Sequence, residues 1–236
     1  MRDGPTPPSR LRSRVSPYAT LVPLCAALAC SSEPDEPGVR FVDVAQPAVP
    51  GSIVVGGASV AEARTALLEA LDETPGAPVF VGRAPWRTRV LVRGNASPDD
   101  ALARGRSFVF RGDGDLRLDL RLGAGDRGGF AGDVVPTGAA RVMLQVRLED
   151  PSTLEARFRI RILADDGPAG NLPADVTPRF LRRPVPRGTY RASVDAAAGG
   201  ARFTVEVSIL AQDGSEAGHA WSSPIAVERP WLGHER

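Results

Sequence analysis

The chain has few of the side chains that catalyse reactions or hold metals. Its 236 residues include no lysine, two cysteines and two histidines, His219 and His234. Without lysine no Gly-x-x-x-x-Gly-Lys phosphate loop can form, and no Gly-x-Ser-x-Gly motif of a serine hydrolase occurs. Neither histidine stands in a zinc-ligand pattern such as His-x-x-x-His. The sequence therefore predicts no cofactor and no metal site.

Long apolar runs are also lacking, apart from one interrupted segment near the N-terminus. Arg10, Arg12 and Arg14 precede fifteen uncharged residues, 15–29. This segment is shorter than the roughly 20 apolar residues of a transmembrane helix, and Pro17 and Pro23 interrupt it. The pattern predicts an export signal at residues 1–29 that is removed from the mature protein.

The end of this segment reads Ala27-Leu28-Ala29-Cys30. It resembles the lipobox of bacterial lipoproteins, in which small residues precede a cysteine that is lipidated and becomes the new N-terminus. The resemblance implies a lipid on Cys30 and a membrane-anchored protein outside the cytoplasm, and Ser31 implies the outer membrane. Cys25 fits less well because the bulky Leu24 precedes it. The alternative is ordinary signal-peptidase cleavage at a small-residue site near Ala29, which would leave a secreted soluble protein.

Removal of residues 1–29 changes the chemistry that the chain can perform. One cysteine remains, and its acylation would leave no thiol for a disulfide, a metal or catalysis. The mature chain would hold 25 basic and 27 acidic residues, which gives no support to nucleic-acid binding. Residues 30–38 are acidic and proline-rich and predict a solvated linker. Residues 39–236 are predicted to form a single domain.

Most of this domain has the alternation of β-strands. Leu116, Leu118, Leu120 and Leu122 alternate with charged residues, a period of two that turns one face towards a core. The pattern recurs over residues 142–148, 154–162, 190–194 and 203–209, and shorter candidates are 39–44, 53–55, 79–81, 88–93, 107–111 and 224–228. Many short strands between Gly, Pro and Asp clusters favour antiparallel sheets packed face to face. We predict an all-β, jelly-roll-like sandwich with one or two short helices.

Two segments have helix signals. Ser59-Val60-Ala61-Glu62 is a capping-box pattern, and the stripe of Val60, Ala63, Leu67 and Leu71 predicts a helix that ends by Pro75-Gly76 and covers a sheet edge or end. Ser97-Pro98 followed by Gly105 predicts one or two further turns. The glycine-rich residues 123–138 are predicted to form a long loop.

Charge favours one register for a predicted hairpin at residues 148–154. Pairing Leu148 with Leu154 places Arg147 opposite Glu155, whereas a slip of two residues places Arg147 opposite Arg157. Arg157, Arg159 and Arg161 would then form an outward row. This row is either a solvated face that protects the sheet from edge pairing or an anion-binding stripe, and we favour the solvated face.

Trp86 and Trp231 are our candidate ligand-binding residues. Both lie beside prolines in loop-like sequence, where an exposed indole ring would stack on a sugar. The other interpretation is that each packs in the core or at its rim, which is the more common role of tryptophan.

The segment 220–227, Ala-Trp-Ser-Ser-Pro-Ile-Ala-Val, resembles the last strand of accessory β-sandwich modules in secreted bacterial hydrolases, including some sulfatases. The resemblance implies a non-catalytic module and transfers no catalytic residue. We expect an envelope-anchored lipoprotein that binds or scaffolds, with a glycan or an envelope protein as ligand. Two alternatives stay open: an extracytoplasmic hydrolase with paired acids around one cleft, and a purely structural envelope component.

Overall fold

The computed structural model describes residues 38–45, 49–124, 127–153, 155–165, 173–196 and 201–228. The strands are β1 (Val39–Val44), β2 (Ile53–Val55), β3 (Phe80–Gly82), β4 (Arg87–Arg93), β5 (Ser107–Gly112), β6 (Arg117–Ala124), β7 (Arg127–Phe130), β8 (Val134–Pro136), β9 (Arg141–Glu149), β10 (Arg157–Asp165), β11 (Ala174–Asp175), β12 (Gly188–Asp195), β13 (Ala201–Leu210), β14 (Glu216–Ser222) and β15 (Ile225–Glu228). The helices are α1 (Val60–Glu73), α2 (Pro98–Ala103) and a 3₁₀ turn at Arg179–Leu181.

These strands form two main sheets. The large sheet has the order β1-β4-β5-β14-β13-β10-β11, and β15 pairs with the free half of β13 and, in parallel, with β8. The small sheet has the order β12-β9-β6-β7, and its pairings are antiparallel. A separate parallel pair joins β2 to β3. The prediction of an all-β, sandwich-like fold with few helices is confirmed.

The main core lies between the facing sides of the two sheets. From the large sheet it takes the alternate residues of β13, Phe203, Val205, Val207 and Ile209, and from the small sheet it takes the leucines of β6 and β9. Burial of each such side chain stabilises the fold by about 1.5–3 kcal/mol. This core is the one that the period-two alternation predicted, because each strand of the sandwich buries one face here.

The predicted hairpin at residues 148–154 is wrong. β9 pairs with β12 and β6, whereas β10 pairs with β13 and β11, so the two strands belong to different sheets. The connection turns at Asp150, whose Oδ1 accepts hydrogen bonds from the backbone N–H groups of Ser152 and Asp115. Arg147 lies opposite Asp119 of β6, and its guanidinium donates to Glu149 of its own strand. Leu154 lies outside the described residues.

The glycine-rich segment 123–138 is not one long loop, because its described residues contain β7 and β8. A tight turn between these strands depends on Gly132, whose φ is +87° and whose Cα approaches Gly105 so closely that a Cβ would clash with the Arg104 carbonyl. Its N–H donates to the carbonyl of Pro224. These glycines therefore permit close approach of two backbone segments. A glycine-rich composition alone does not distinguish this role from a loop.

Both predicted helices are present. Ser59 caps α1 by accepting from the Glu62 N–H, and Ser97 with Asp100 forms a capping box on α2. The buried side of α1 is the predicted stripe of Ala63, Leu67 and Leu71.

The predicted position of α1 is wrong. The helix covers the outer face of the large sheet rather than an edge, since its apolar side packs with Val109 of β5 and Trp221 of β14. Arg202 of β13 fixes this arrangement by donating to the Leu71 and Thr74 carbonyls at the end of the helix. None of the described helices is long and apolar enough to cross a membrane.

Candidate functional site

The outer face of β13 is polar and nevertheless buried. Thr204, Glu206 and Ser208 alternate with the core residues, yet they are only 3%, 4% and 8% exposed, and Arg64 of α1 reaches Glu206. Polar groups without water require partners inside the protein. The site is built from those partners.

His219 of β14 is the central partner. It lies directly opposite Ser208 in the antiparallel pair and is 4% exposed. Its Nε2 is 3.0 Å from Oε1 of Glu206, and its Nδ1 is 3.1 Å from Oε1 of Glu216 and 3.3 Å from Oγ of Ser208. Both ring nitrogens are thus engaged, which fixes the orientation of the imidazole.

Glu206 carries its charge inside the protein. Burial raises the pKa of this carboxyl. The hydrogen bond with His219 and the charge interactions with His219, Arg64 and Arg161 lower it by a larger amount, so the pKa lies below its usual value. Arg64 of α1 approaches to 3.6 Å and Arg161 of β10 to 3.2 Å. Glu206 therefore ties the helix, β10 and β14 together as an ionised carboxylate.

An aromatic layer surrounds the imidazole. The ring of His219 lies 4.6 Å from that of Trp221 and 6.4 Å from that of Trp86, and the two indoles are 4.8 Å apart. Trp86 donates its Nε1–H to the Gly57 carbonyl at 3.3 Å. It is 2% exposed, so the expectation that Trp86 presents its face to a sugar is wrong; its ring belongs to the buried cluster formed with α1, β2, β5 and β14.

A cleft of about 800 Å³ opens above His219. We call it the His219 cleft. Its walls are the residues that lead into α1 (58–60), Pro85 and Arg87 before and in β4, the end of β5 (111–113) and the start of β14 (216–219). Its volume lies in the range of sites that hold organic ligands.

Two arginines on the cleft wall are held in place. Nη2 of Arg87 donates to the Gly112 carbonyl at 2.5 Å, and its guanidinium lies 4.6 Å from the centre of the Phe110 ring. Nη1 of Arg111 donates to the Ala58 carbonyl at 2.7 Å, and its guanidinium lies 6.0 Å from the Trp86 ring. Each guanidinium has five N–H donors, so each keeps donors for a ligand.

Two carboxylates also line the cleft, those of Asp113 and Glu216. Asp113 lies in the connection between β5 and β6 and is exposed. Oε1 of Glu216 lies 3.1 Å from Nδ1 of His219. The charged side chains of the wall therefore carry both signs.

The residues around His219 include the residue types of a catalytic triad, but they do not all line the cleft. Ser208, His219 and Glu206 are the residue types of a serine hydrolase triad, but Ser208 is 8% exposed and is not among the residues that line the cleft. Within the described residues, no group of three or more His, Cys, Asp or Glu side chains is placed to hold a metal ion.

The structure brings together residues that the sequence analysis did not select. Cys30 and Trp231, two of the three candidate residues, lie outside the described residues. The third, Trp86, supports the cleft from within the protein. Arg87, Arg111 and His219 gave no motif, because they come from three strands. The sequence feature that could have indicated the site was the polar face of β13, together with a predicted helix whose apolar stripe must pack against another element.

Comparisons with known proteins add little. No family model matches the chain, and no curated protein matches it. Among the solved structures, the soluble domain of PmoD from a Methylocystis species is similar at 15% identity, with a TM-score of 0.29, over 48% of this chain and 90% of that one. At this TM-score the likeness carries no argument about fold or function.

Proposed function

We propose that this protein is a non-catalytic binding module of the bacterial cell envelope, and that a small polar ligand occupies its His219 cleft. The observation that carries the proposal is a cleft of about 800 Å³ whose charged walls are fixed by internal hydrogen bonds. Side chains that are already ordered lose little entropy when a ligand binds. Such a surface suits recognition.

The proposal includes the anchor. A lipid on Cys30 and a linker up to residue 38 would hold the domain at the membrane, with the outer membrane as the expected site because Ser31 follows the cysteine. The first described strand, β1, begins at Val39, immediately after this linker. The cleft would then face molecules of the envelope rather than of the cytoplasm.

Ligand-observed NMR tests the binding function. Purified protein is screened against a library of sugars, sugar acids and amino acids, beside two variants that each gain an indole. Ala217→Trp fills the cleft from an exposed wall position, and Ser193→Trp adds the same group to the exposed side of β12. We expect ligands that bind the native protein and Ser193→Trp but not Ala217→Trp. Ligands that bind all three proteins equally, or none at all, would contradict the proposal.

Cys30→Ala tests the anchor. Intact-mass spectrometry and membrane fractionation are applied to the native protein and to the variant. We expect a diacyl or triacyl mass on the native protein and its release from the membrane on substitution. An unlipidated, soluble native protein would instead support cleavage after Ala29 and secretion.

A hydrolase is the second candidate, because the carboxylates of Asp113 and Glu216 both line the cleft. Acid–base hydrolysis would use one of them as proton donor and the other as base. The test is turnover of any ligand found in the screen. Hydrolysis that Glu216→Gln abolishes without loss of binding would establish an enzyme; intact ligand after prolonged incubation supports the binding module.

A further inference from the structure

We infer that the turn at residues 179–183 is a membrane contact of this protein, and that it binds the anionic headgroups of a phospholipid surface. We call it the Phe180 turn. It lies outside the His219 cleft, so the inference goes beyond the ligand of the cleft and takes only the place at the envelope from the proposed function. It rests on an exposed aromatic ring that has arginines on both sides along the chain.

The segment that carries this turn is held against β10 at both ends. Before the turn, the Val176 N–H donates to the Ile162 carbonyl at 2.9 Å, and Oγ1 of Thr177 accepts from the Ile162 N–H at 2.8 Å. After the turn, Val185 and Phe158 exchange two backbone hydrogen bonds, at 2.7 and 2.8 Å. A segment that is already fixed loses little entropy when it binds a surface.

The ring of Phe180 is exposed although its apolar neighbours are buried. Leu181 and Val185 enter the main core and are 0% and 9% exposed, whereas Phe180 is 41% exposed. The Arg182 N–H donates to the Arg179 carbonyl at 3.3 Å and closes one 3₁₀ turn around Phe180. One such turn rises only about 6 Å, so its side chains meet the same region of a surface. Phenylalanine together with arginine is typical of segments that lie in the headgroup region of a membrane.

The positive charge around this ring is not neutralised within the described fold. Residues 176–187 contain no acidic residue and four arginines, all exposed: Arg179, Arg182, Arg183 and Arg187. Among the described residues none of the four forms an ion pair, and Arg182 donates only to the Thr177 carbonyl, at 3.2 Å. The nearest preceding acidic residue, Asp175, is paired with Arg161 at 3.3 Å. The arginines therefore remain available to an anionic partner.

β10 adds two further arginines beside this segment. Arg157 and Arg159 are exposed and flank Phe158, the residue to which the segment is bonded. Neither forms an ion pair within the part of the chain that the structure describes, whereas Arg161, the third arginine of the predicted outward row, has ion pairs of its own. This arrangement supports the anion-binding alternative for Arg157 and Arg159.

A lipid surface is the anionic partner that the proposed anchor brings within reach. Eight residues separate Cys30 from Val39, and a chain of that length spans at most about 30 Å. A lipid on Cys30 would therefore keep the domain close to the bilayer, where a weak second contact gains from high effective concentration. Clustered arginines bind anionic headgroups, and an acyl anchor is strengthened by such a basic patch.

Vesicle co-sedimentation tests the inference on the full chain with Cys30→Ala, so that no acyl chain contributes to binding. The vesicles contain either phosphatidylcholine alone or equal amounts of phosphatidylcholine and anionic phosphatidylglycerol. Two variants alter the Phe180 turn: Phe180→Ala, and a triple variant that replaces its three arginines by glutamine, Arg179→Gln, Arg182→Gln and Arg183→Gln.

Each variant has a matched control at exposed positions elsewhere. Met143→Ala removes a 44% exposed apolar side chain from β9. A control triple variant removes the same charge from three exposed arginines near β1, β3 and α2: Arg40→Gln, Arg83→Gln and Arg104→Gln. All proteins share residues 1–29, so any binding by that segment is common to them. The melting temperature of each variant shows whether it is folded.

We expect the parent chain to bind the anionic vesicles at least about tenfold more tightly than phosphatidylcholine alone, and high salt should weaken this binding. The triple variant of the turn should bind them about a hundredfold more weakly, because each arginine near an anionic surface contributes about fivefold. Phe180→Ala should cost about tenfold through lost apolar contact. Both controls should stay within about threefold of the parent chain.

Equal binding to the two kinds of vesicle, equal losses in the two triple variants, or unchanged binding in both variants of the turn would overturn the inference. Absence of binding to either vesicle would also overturn it, and an acidic protein would then be the partner to examine. These outcomes are distinct from failure of the cleft, because the ligand screen with Ala217→Trp uses no lipid.

Discussion

The two faces of β13 are both buried and have opposite chemistry. The inner face, with Phe203 and Val207, packs against the small sheet without polar groups. The outer face, with Arg202 and Glu206, lies under α1 and is held by hydrogen bonds and ion pairs. The inner face gains stability from area removed from water, whereas the outer face gains specific geometry from satisfied polar groups.

This difference separates the part of the strand that makes the fold from the part that makes the site. Apolar packing is non-directional and tolerates changes of similar volume. A buried carboxylate that bonds His219 and pairs with Arg64 and Arg161 holds each neighbour in a set direction, and one of these, His219, lines the cleft. Substitutions on the two faces should therefore have different effects on stability and on binding.

The largest effect on stability is expected from Phe203→Ala on the inner face. This fully buried ring leaves a cavity between the sheets, and the expected loss is about 3–5 kcal/mol in the free energy of unfolding. Urea denaturation measures it. Met143→Ala, at a 44% exposed position of β9, is the control and should change stability by less than about 0.5 kcal/mol. Similar losses in both variants would argue against a tightly packed core.

A smaller and pH-dependent loss is expected from Glu206→Gln on the outer face. At neutral pH it should cost about 1–3 kcal/mol, because charged hydrogen bonds to His219 and Arg161 are weakened. The folded-state pKa of Glu206 lies below its ordinary value of 4.5, so its stabilisation is fully present above that pH and is lost as the pH falls through the lowered folded value.

The difference between native protein and Glu206→Gln should therefore shrink below about pH 4.5, as followed by urea denaturation from pH 7 to pH 3. Glu69→Gln, on the exposed side of α1, is the matched control and should stay within about 0.5 kcal/mol. A difference that stays constant down to pH 3 would show that the charge of Glu206 is unimportant.

The smallest effect is expected from Ser59→Ala at the start of α1. Loss of the cap on the Glu62 N–H should cost about 1 kcal/mol, measured by the melting temperature. Because residues 58–60 also line the cleft, the variant should weaken ligand binding as well. Ser97→Ala removes the corresponding cap of α2 and should reduce stability alone, since α2 is not part of the cleft wall. Equal effects on binding would remove α1 from the site.

The sequence predicted the features that depend on the buried face of a single strand or helix. The alternation of Leu118, Leu120 and Leu122 indicated β6, and the cap at Ser59 with its apolar stripe indicated α1. Both signals are local, because a strand or a helix shows its buried side by its own period. Charge pairing at Arg147 failed as a guide, because the chain turns at Asp150 and the next strand, β10, joins the other sheet.

The site was not predictable in the same way. Arg87, Arg111 and His219 line one cleft because β4, β5 and β14 are neighbours in the large sheet, and sheet order cannot be inferred from any single strand. Trp86 next to Pro85 has loop-like sequence, but its burial depends on where α1 lies. A polar strand face is exposed to solvent only when no other element packs over it.

The most direct test of a ligand site at the His219 cleft is the NMR signal of the His219 Cε1–H group. The chain has two histidines, so His234→Gln assigns the signal. During titration with a ligand found in the library screen we expect a saturable shift of this signal in the native protein and in Ser193→Trp, and none in Ala217→Trp. A signal that does not move with any library member, or that moves equally in Ala217→Trp, would contradict a binding site above His219.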